Sequence, residues 1–106
     1  MKRLENKIAI ITGGADGIGK AGVIRFAEEG ATVIIWDMNQ EKGLETVAQI
    51  EAVGGKAVFE KVNTANYNEV ERASQKAIEQ FGRVDILINN AGITRDASLK
   101  KMTPDQ

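Results

Sequence analysis

Short apolar runs alternate along this chain with longer segments in which apolar residues recur every three or four positions. The short runs are typical of buried β-strands, and the longer segments are typical of amphipathic helices. The predicted strands are residues 7–12, 32–36, 57–61 and 84–89. The chain therefore alternates between strand and helix as far as residue 89.

Each of the three predicted helices ends at glycine, a common signal just past a helix C-terminus. The first ends at Gly30, the second at Gly54 and Gly55, and the third at Gly82. Asn66 and Glu69 have the spacing of a capping box for the third helix. The residues predicted to face the core are Ile18, Gly22, Val23, Phe26 and Ala27, then Leu44, Val47, Ala48 and Ile50, then Val70, Ala73, Ala77, Ile78 and Phe81.

This alternation predicts an α/β fold in which helices cover both faces of a parallel sheet. Right-handed crossovers, with a switch point after the first strand, give the strand order 3-2-1-4. We therefore expect a Rossmann-type three-layer sandwich.

The turn between the first strand and the first helix is the most informative stretch, because it has glycines at 13, 17 and 19. Glycine lets the backbone turn sharply and lets a ligand come close. The start of the helix offers free N–H groups and the positive end of a dipole to an anion. The turn therefore fits the pyrophosphate of a dinucleotide. The alternative is that it is only a tight turn rich in glycine.

Two more features at the same edge of the sheet support a dinucleotide site. Asp37 ends the second strand, 18 residues after Gly19, where such folds need an acid that accepts hydrogen bonds from ribose hydroxyls. Asn89-Asn90-Ala91-Gly92 follows the fourth strand at the carboxyl edge, where ligands bind. The alternatives are that Asp37 only begins the next loop and that the second segment is only an asparagine-glycine turn.

The composition and the sequence exclude several other kinds of site and partner. The chain has no cysteine and no histidine, which excludes disulfides, zinc sites of the usual kind and a Ser-His or Cys-His nucleophile. Gly14, Gly19 and Lys20 have P-loop spacing, but Ala21 replaces the hydroxyl residue that a P-loop needs for magnesium. The net charge of −1 favours neither nucleic acid nor anionic lipid as a partner. Without a long apolar run or a secretory signal, a cytoplasmic protein with no membrane partner is expected.

Taken together, Thr12-Gly13-Gly14-Ala15-Asp16-Gly17-Ile18-Gly19 and Asn89-Asn90-Ala91-Gly92 resemble the two signature motifs of the short-chain dehydrogenase/reductase family. The continuation Ile93-Thr94-Arg95-Asp96 resembles the 3-oxoacyl-(acyl-carrier-protein) reductases and acetoacetyl-CoA reductases of that family. The resemblance implies an oxidoreductase that transfers hydride between a nicotinamide cofactor and a carbonyl or alcohol carbon. Residues 1–106 then form the N-terminal, dinucleotide-binding portion of a single Rossmann domain.

The resemblance also implies roles for individual residues. The glycine loop lines the pyrophosphate, Asn63 lies near the adenine, and the segment after the fourth strand lies along the nicotinamide ribose. Asn63 stands where the family often has aspartate, and it keeps a carbonyl acceptor. The predicted cofactor site comprises Gly13, Ala15, Asp16, Gly17, Ile18, Gly19, Asp37, Met38, Asn63, Asn90, Ala91 and Gly92.

Cofactor choice is predicted from two acids. Family members that use NADP commonly carry a basic residue at the position of Asp16 or a non-acidic one at that of Asp37. A 2′-phosphate roughly 4 Å from a carboxylate, at an effective dielectric constant of about 20, meets a repulsion of about 4 kcal/mol before screening. We therefore predict NAD(H) rather than NADP(H), unlike the usual preference of acyl-carrier-protein reductases.

The family's catalytic serine and Tyr-x-x-x-Lys pair have no match within residues 1–106. The single tyrosine is Tyr67, and Glu71 stands where the lysine would follow. Thr103-Pro104-Asp105-Gln106 has the signals of a helix start, which predicts that the chain stops inside a larger fold. The alternative is that residues 94–106 are a polar tail. We expect this polypeptide alone to be inactive.

The sequence leaves several functions open. The parent protein is expected to act on a small-molecule carbonyl or acyl-thioester substrate, with 3-oxoacyl thioester reduction as the specific prediction. The alternatives are a short-chain alcohol or sugar dehydrogenase and a non-catalytic dinucleotide-binding module. Because the strand at 84–89 would have a bare edge, self-association into a homo-oligomer is also predicted.

Overall fold

The computed structural model describes residues 3–90, in which strands and helices alternate as the hydrophobic pattern predicts. The strand and helix bounds differ from the predicted ones by a few residues at most. Ala91, Gly92 and the predicted helix start at 103–106 lie outside the described residues. In chain order the elements are β1 (Ile8–Thr12), α1 (Gly17–Glu28), β2 (Thr32–Asp37), α2 (Gln40–Ala52), β3 (Lys56–Lys61), α3 (Tyr67–Phe81) and β4 (Ile86–Asn89).

The sheet has the order β3-β2-β1-β4, and each neighbouring pair of strands is parallel. This confirms the predicted α/β architecture and strand order. Thr12, the last residue of β1, is in register with Trp36 of β2 and with Asn89 of β4. The segments that follow these three strands therefore leave the sheet at the same edge.

The two faces of the sheet bury separate hydrophobic cores, because successive strand residues point to opposite faces. On one face, Ile10 and Trp36 pack in one cluster with Ala73 and Ala77 of α3. On the other face, the strand residues cluster with side chains from α1 and α2. The buried members of that second cluster are Ile11, Val23, Ala31, Val33, Ile35, Ile50 and Ala57. The helices thus form the two outer layers of the predicted sandwich.

Four residues predicted to face the core are exposed instead: Ile18, Leu44, Ala48 and Ile78. Ile18 is 84% exposed, because it lies in the first turn of α1 at the sheet edge rather than over the sheet. Leu44 and Ile78 are about half exposed, on the flanks of α2 and α3. In α2 the buried residues are Gly43, Thr46 and Ile50, so most of the buried line lies one position away from the predicted one.

Only half of the predicted capping box forms at the start of α3. The side chain of Asn66 accepts a hydrogen bond from the backbone N–H of Glu69 at 3.1 Å, as predicted. The carboxylate of Glu69 accepts from the backbone N–H of Asn63 at 2.9 Å, rather than from that of Asn66. Glu69 therefore ties the segment after β3 to the helix. None of the helices within residues 3–90 combines the length and the apolarity that a membrane crossing requires.

Candidate functional site

The glycine loop between β1 and α1 has a conformation that requires glycine at two positions. Gly13 and Gly17 have φ angles of 66° and 58°, in the left-handed region that side chains disfavour. The N–H of Gly13 donates to the carbonyl of Trp36 at 2.8 Å, which continues the β1–β2 pairing into the loop. The start of the loop is therefore anchored to β2.

The first turn of α1 approaches the loop so closely that only glycine fits at position 19. A Cβ atom on Gly19 would lie 1.9 Å from the carbonyl oxygen of Gly13 and 2.8 Å from Nδ2 of Asn90. The Asn90 amide donates to the same carbonyl at 3.5 Å. Gly13, Gly19 and Asn90 are thus brought together, as the sequence predicts for the mouth of the site.

Two N–H groups in the first turn of α1 remain available to a ligand. Asp16 is the N-cap residue, and its carboxylate accepts from the N–H of Gly17 at 2.8 Å. Within residues 3–90, the N–H groups of Ile18 and Gly19 have no acceptor. Free amides at the positive end of a helix dipole form an anion-binding site. Asp16 also lies 3.7 Å from the ammonium of Lys42, which offsets part of its charge.

The Asp37 carboxylate, at the end of β2, is turned toward the glycine loop. One oxygen accepts from the N–H of Ala15 at 3.1 Å, and the other accepts from the N–H of Asn39 at 2.9 Å. Asp37 therefore both begins the turn into α2 and faces the predicted cofactor site. A carboxylate oxygen has two lone pairs, so each oxygen can accept a further hydrogen bond from a sugar hydroxyl.

The ends of β1 and β4 are joined by a side-chain contact. The hydroxyl of Thr12, which is fully buried, lies 2.9 Å from Oδ1 of Asn89, to which it donates. This contact fixes the start of the Asn89-Asn90 segment beside the glycine loop. Asn89 was not among the predicted site residues. The signal that could have placed it there is the motif Asn89-Asn90-Ala91-Gly92, which begins with it.

The remaining predicted site residues are spread along the same edge. Met38 follows Asp37 and is 55% exposed. Asn63 lies shortly after β3, and its side-chain oxygen accepts from the N–H of Ala65 at 3.0 Å. Ala91 and Gly92 lie outside the described residues. The described part of the predicted site is thus a row of donors and acceptors at the carboxyl edge of the sheet.

Comparison with known proteins identifies the family of this chain. Residues 7–106 match the family model of the short chain dehydrogenases. The chain is 44% identical over 100 residues to the 3-oxoacyl-(acyl-carrier-protein) reductase of Thermotoga maritima, covering 94% of this chain and 41% of that relative. It is 40% identical over 102 residues to the enzyme of the same name from Chlamydia pneumoniae, covering 96% of this chain and 41% of that relative.

Solved structures agree with the family match. The crystal structure of a hydroxysteroid dehydrogenase from Escherichia coli has a TM-score of 0.82 and 41% identity, over 85% of this chain and 38% of the other. A 7α-hydroxysteroid dehydrogenase, solved with NADH and 7-oxo glycochenodeoxycholic acid, has the same TM-score and identity, over 85% and 35% of the two chains. The chain spans about two fifths of the length of the curated relatives named above. It belongs to the short-chain dehydrogenase/reductase family.

Proposed function

We propose that this chain is the cofactor-binding part of an oxidoreductase that moves hydride between a nicotinamide dinucleotide and a carbonyl or alcohol carbon. The proposal rests on two kinds of group that lie close together at one edge of the sheet, free N–H donors and a carboxylate. The free N–H groups of Ile18 and Gly19 are available to an anion, and the carboxylate of Asp37 accepts from the loop beside them.

The groups present fit a dinucleotide. N–H donors at the start of α1 suit a diphosphate, and the carboxylate of Asp37 suits a ribose diol. The space beside Gly17 is open, because apart from the local backbone no atom lies within 4 Å of the position that a Cβ would take there. When bound, the nicotinamide supplies the hydride-carrying carbon. The protein's part is to bind and orient it.

Neighbouring elements would hold the other parts of the cofactor. Met38 follows Asp37 beside the adenosine ribose, and Asn63 lies after β3, where the adenine is expected. Asn90 lies between the glycine loop and the end of β4, on the path to the nicotinamide ribose. Ala91 and Gly92 continue that segment beyond the described residues.

The charges at the site support NAD(H) as the cofactor. Asp37 has two N–H donors and no cationic partner among the ion pairs of residues 3–90, so its negative charge remains where a 2′-phosphate would lie. Before screening, the repulsion is about 4 kcal/mol. Solvent and salt reduce it, and the remaining repulsion corresponds to about two powers of ten in affinity. Asp16 contributes less, because Lys42 lies beside it.

The substrate class rests on the relatives. Two of them carry the name 3-oxoacyl-(acyl-carrier-protein) reductase, which supports a 3-oxoacyl thioester as the substrate of the whole protein. A hydroxysteroid or another alcohol is the second candidate, because two similar structures are hydroxysteroid dehydrogenases. Residues 1–106 contain no match to the family's Tyr-x-x-x-Lys pair, so we expect this polypeptide alone to bind cofactor without turnover.

A titration with NADH and NADPH tests the proposal. Trp36 is the single tryptophan, is buried and precedes Asp37, so energy transfer from it to reduced nicotinamide reports binding. We expect NADH to bind about a hundredfold more tightly than NADPH, and Asp37→Asn to reduce that ratio by about tenfold. Asp85→Asn is the matched control, because it makes the same change at the opposite edge of the sheet, just before β4. Equal affinity of the unmodified chain for both cofactors would contradict the proposed preference.

A further inference from the structure

A buried hydroxyl on α2 contacts the glycine loop. Thr46 lies in the middle of α2 and is fully buried; within residues 3–90, Thr12 is the other buried polar residue. Its hydroxyl oxygen lies 3.3 Å from the carbonyl oxygen of Ala15 and 3.0 Å from that of Lys42. The Thr46 side chain therefore links α2 to the loop that begins α1.

The carbonyls of Ala15 and Lys42 differ in whether they have another hydrogen-bond donor besides the Thr46 hydroxyl. A hydroxyl has one proton, so the two acceptors share it. The carbonyl of Lys42 is inside a helix and already receives the backbone N–H four residues later. The donor that residues 3–90 supply to the carbonyl of Ala15 is the hydroxyl of Thr46. Without that hydroxyl, the Ala15 carbonyl would be a buried acceptor with no donor from this part of the chain.

The backbone N–H and the carbonyl of Ala15 both form hydrogen bonds with side chains outside the loop. Its N–H donates to Asp37, and its carbonyl accepts from Thr46, while the residue itself is 2% exposed. Ala15 directly precedes the N-cap residue Asp16, and the free N–H groups of Ile18 and Gly19 follow within one turn. The orientation of those free N–H groups therefore depends on where Ala15 is held.

We propose that Thr46 is a positioning residue for the cofactor loop. It acts through the carbonyl of Ala15 to keep the start of α1 in the arrangement that receives the diphosphate, and it does not touch the cofactor itself. The effect on cofactor affinity rests on the proposed function, whereas the effect on the loop does not.

A simpler role for Thr46 makes a different prediction. Threonine in a helix commonly donates back to the carbonyl four residues earlier, here that of Lys42. If that were its whole role, removal of the hydroxyl would affect α2 and leave the Ala15 amide unchanged.

The test compares three variants of the full chain. Thr46→Val removes the hydroxyl and keeps the shape, Thr46→Ser keeps the hydroxyl, and Ile50→Val is a control that removes one methyl group from the same buried side of α2. The first measurement is hydrogen exchange of the Ala15 amide by NMR without cofactor. The second is the dissociation constant of NADH, followed by energy transfer from Trp36.

We expect Thr46→Val to speed exchange of the Ala15 amide and to weaken NADH binding by about fivefold or more. We expect Thr46→Ser to restore both values and Ile50→Val to leave both near those of the unmodified chain. The proposal is overturned if Thr46→Val leaves Ala15 exchange unchanged, or if Ile50→Val speeds it equally. If the unmodified chain binds no NADH, the proposed function fails alone, and the exchange comparison still decides the role of Thr46.

Discussion

The geometry of the glycine loop gives a specific steric expectation for the replacement of Gly19 by alanine. The added Cβ would lie 1.9 Å from the carbonyl oxygen of Gly13 and 2.7 Å from its carbon. Ordinary contact between carbon and a carbonyl oxygen begins at about 3.3 Å, so the two backbone segments must separate by about 1.4 Å. Gly13 cannot swing aside as a side chain would, because its N–H is bound to Trp36.

The expected cost is that of forcing an extra methyl group into a packed site, about 1–3 kcal/mol in the free energy of unfolding. The same displacement moves the N–H groups of Ile18 and Gly19, so NADH affinity should fall by about tenfold or more. Gly22→Ala is the matched control on the same helix, because its added Cβ would have no atom within 4 Å apart from the local helix backbone. That control should stabilise the chain by about 0.5–1 kcal/mol and leave NADH affinity unchanged.

Chemical denaturation followed by Trp36 fluorescence gives the stabilities, and energy transfer from Trp36 to NADH gives the affinities. A Gly19→Ala variant with the stability and the NADH affinity of the unmodified chain would refute the predicted clash with Gly13. An equal loss of affinity in Gly22→Ala would also refute it, since any alanine in this helix would then weaken binding.

Two further predictions concern the packing and the pH dependence of the fold. In Gly43→Ala the new Cβ would lie 2.2 Å from the ring of Phe59, so urea denaturation should show a loss of about 1–2 kcal/mol, and a variant as stable as the parent would refute the contact. The backbone N–H of Ile8, at 2.8 Å, and the guanidinium of Arg83 lower the pKa of Asp85 below its ordinary 3.8. The ionised carboxylate therefore stabilises the fold above that pH. The stability advantage of the unmodified chain over Asp85→Asn should shrink as pH falls below 3.8, and a constant difference would contradict this.

The sequence was sufficient to predict the sheet and which segments meet at its carboxyl edge. Buried runs separated by helical segments allow few arrangements, and parallel strands bring their carboxyl ends to one edge. Gly19, Asp37 and Asn90 therefore had to emerge close together once the strand order was known. The structure adds the direction of the Asp37 carboxylate, which no spacing along the chain could supply.

Contacts made at glycine positions, and contacts between residues far apart in the chain, could not be predicted from the sequence. Periodicity predicted Leu44 as a core residue of α2, but the ring of Phe59 packs against Gly43, where there is no side chain. The helix is therefore rotated relative to its apolar pattern. Thr46 has nothing in its local sequence that indicates a contact with Ala15, 31 residues away. Ile18 fits the apolar period of α1 but extends past the sheet.

We propose above that amides at the start of α1 bind the cofactor diphosphate while Asp37 binds its adenosine ribose. The most direct measurement is an NMR titration of the full chain with NADH, in which each backbone N–H is followed separately. We expect the largest shift changes at Ile18 and Gly19, with a second group at Asp37 and Met38. NADH binding that leaves these amides unchanged, or shifts that cluster at the opposite edge of the sheet around Asp85, would refute the proposed site.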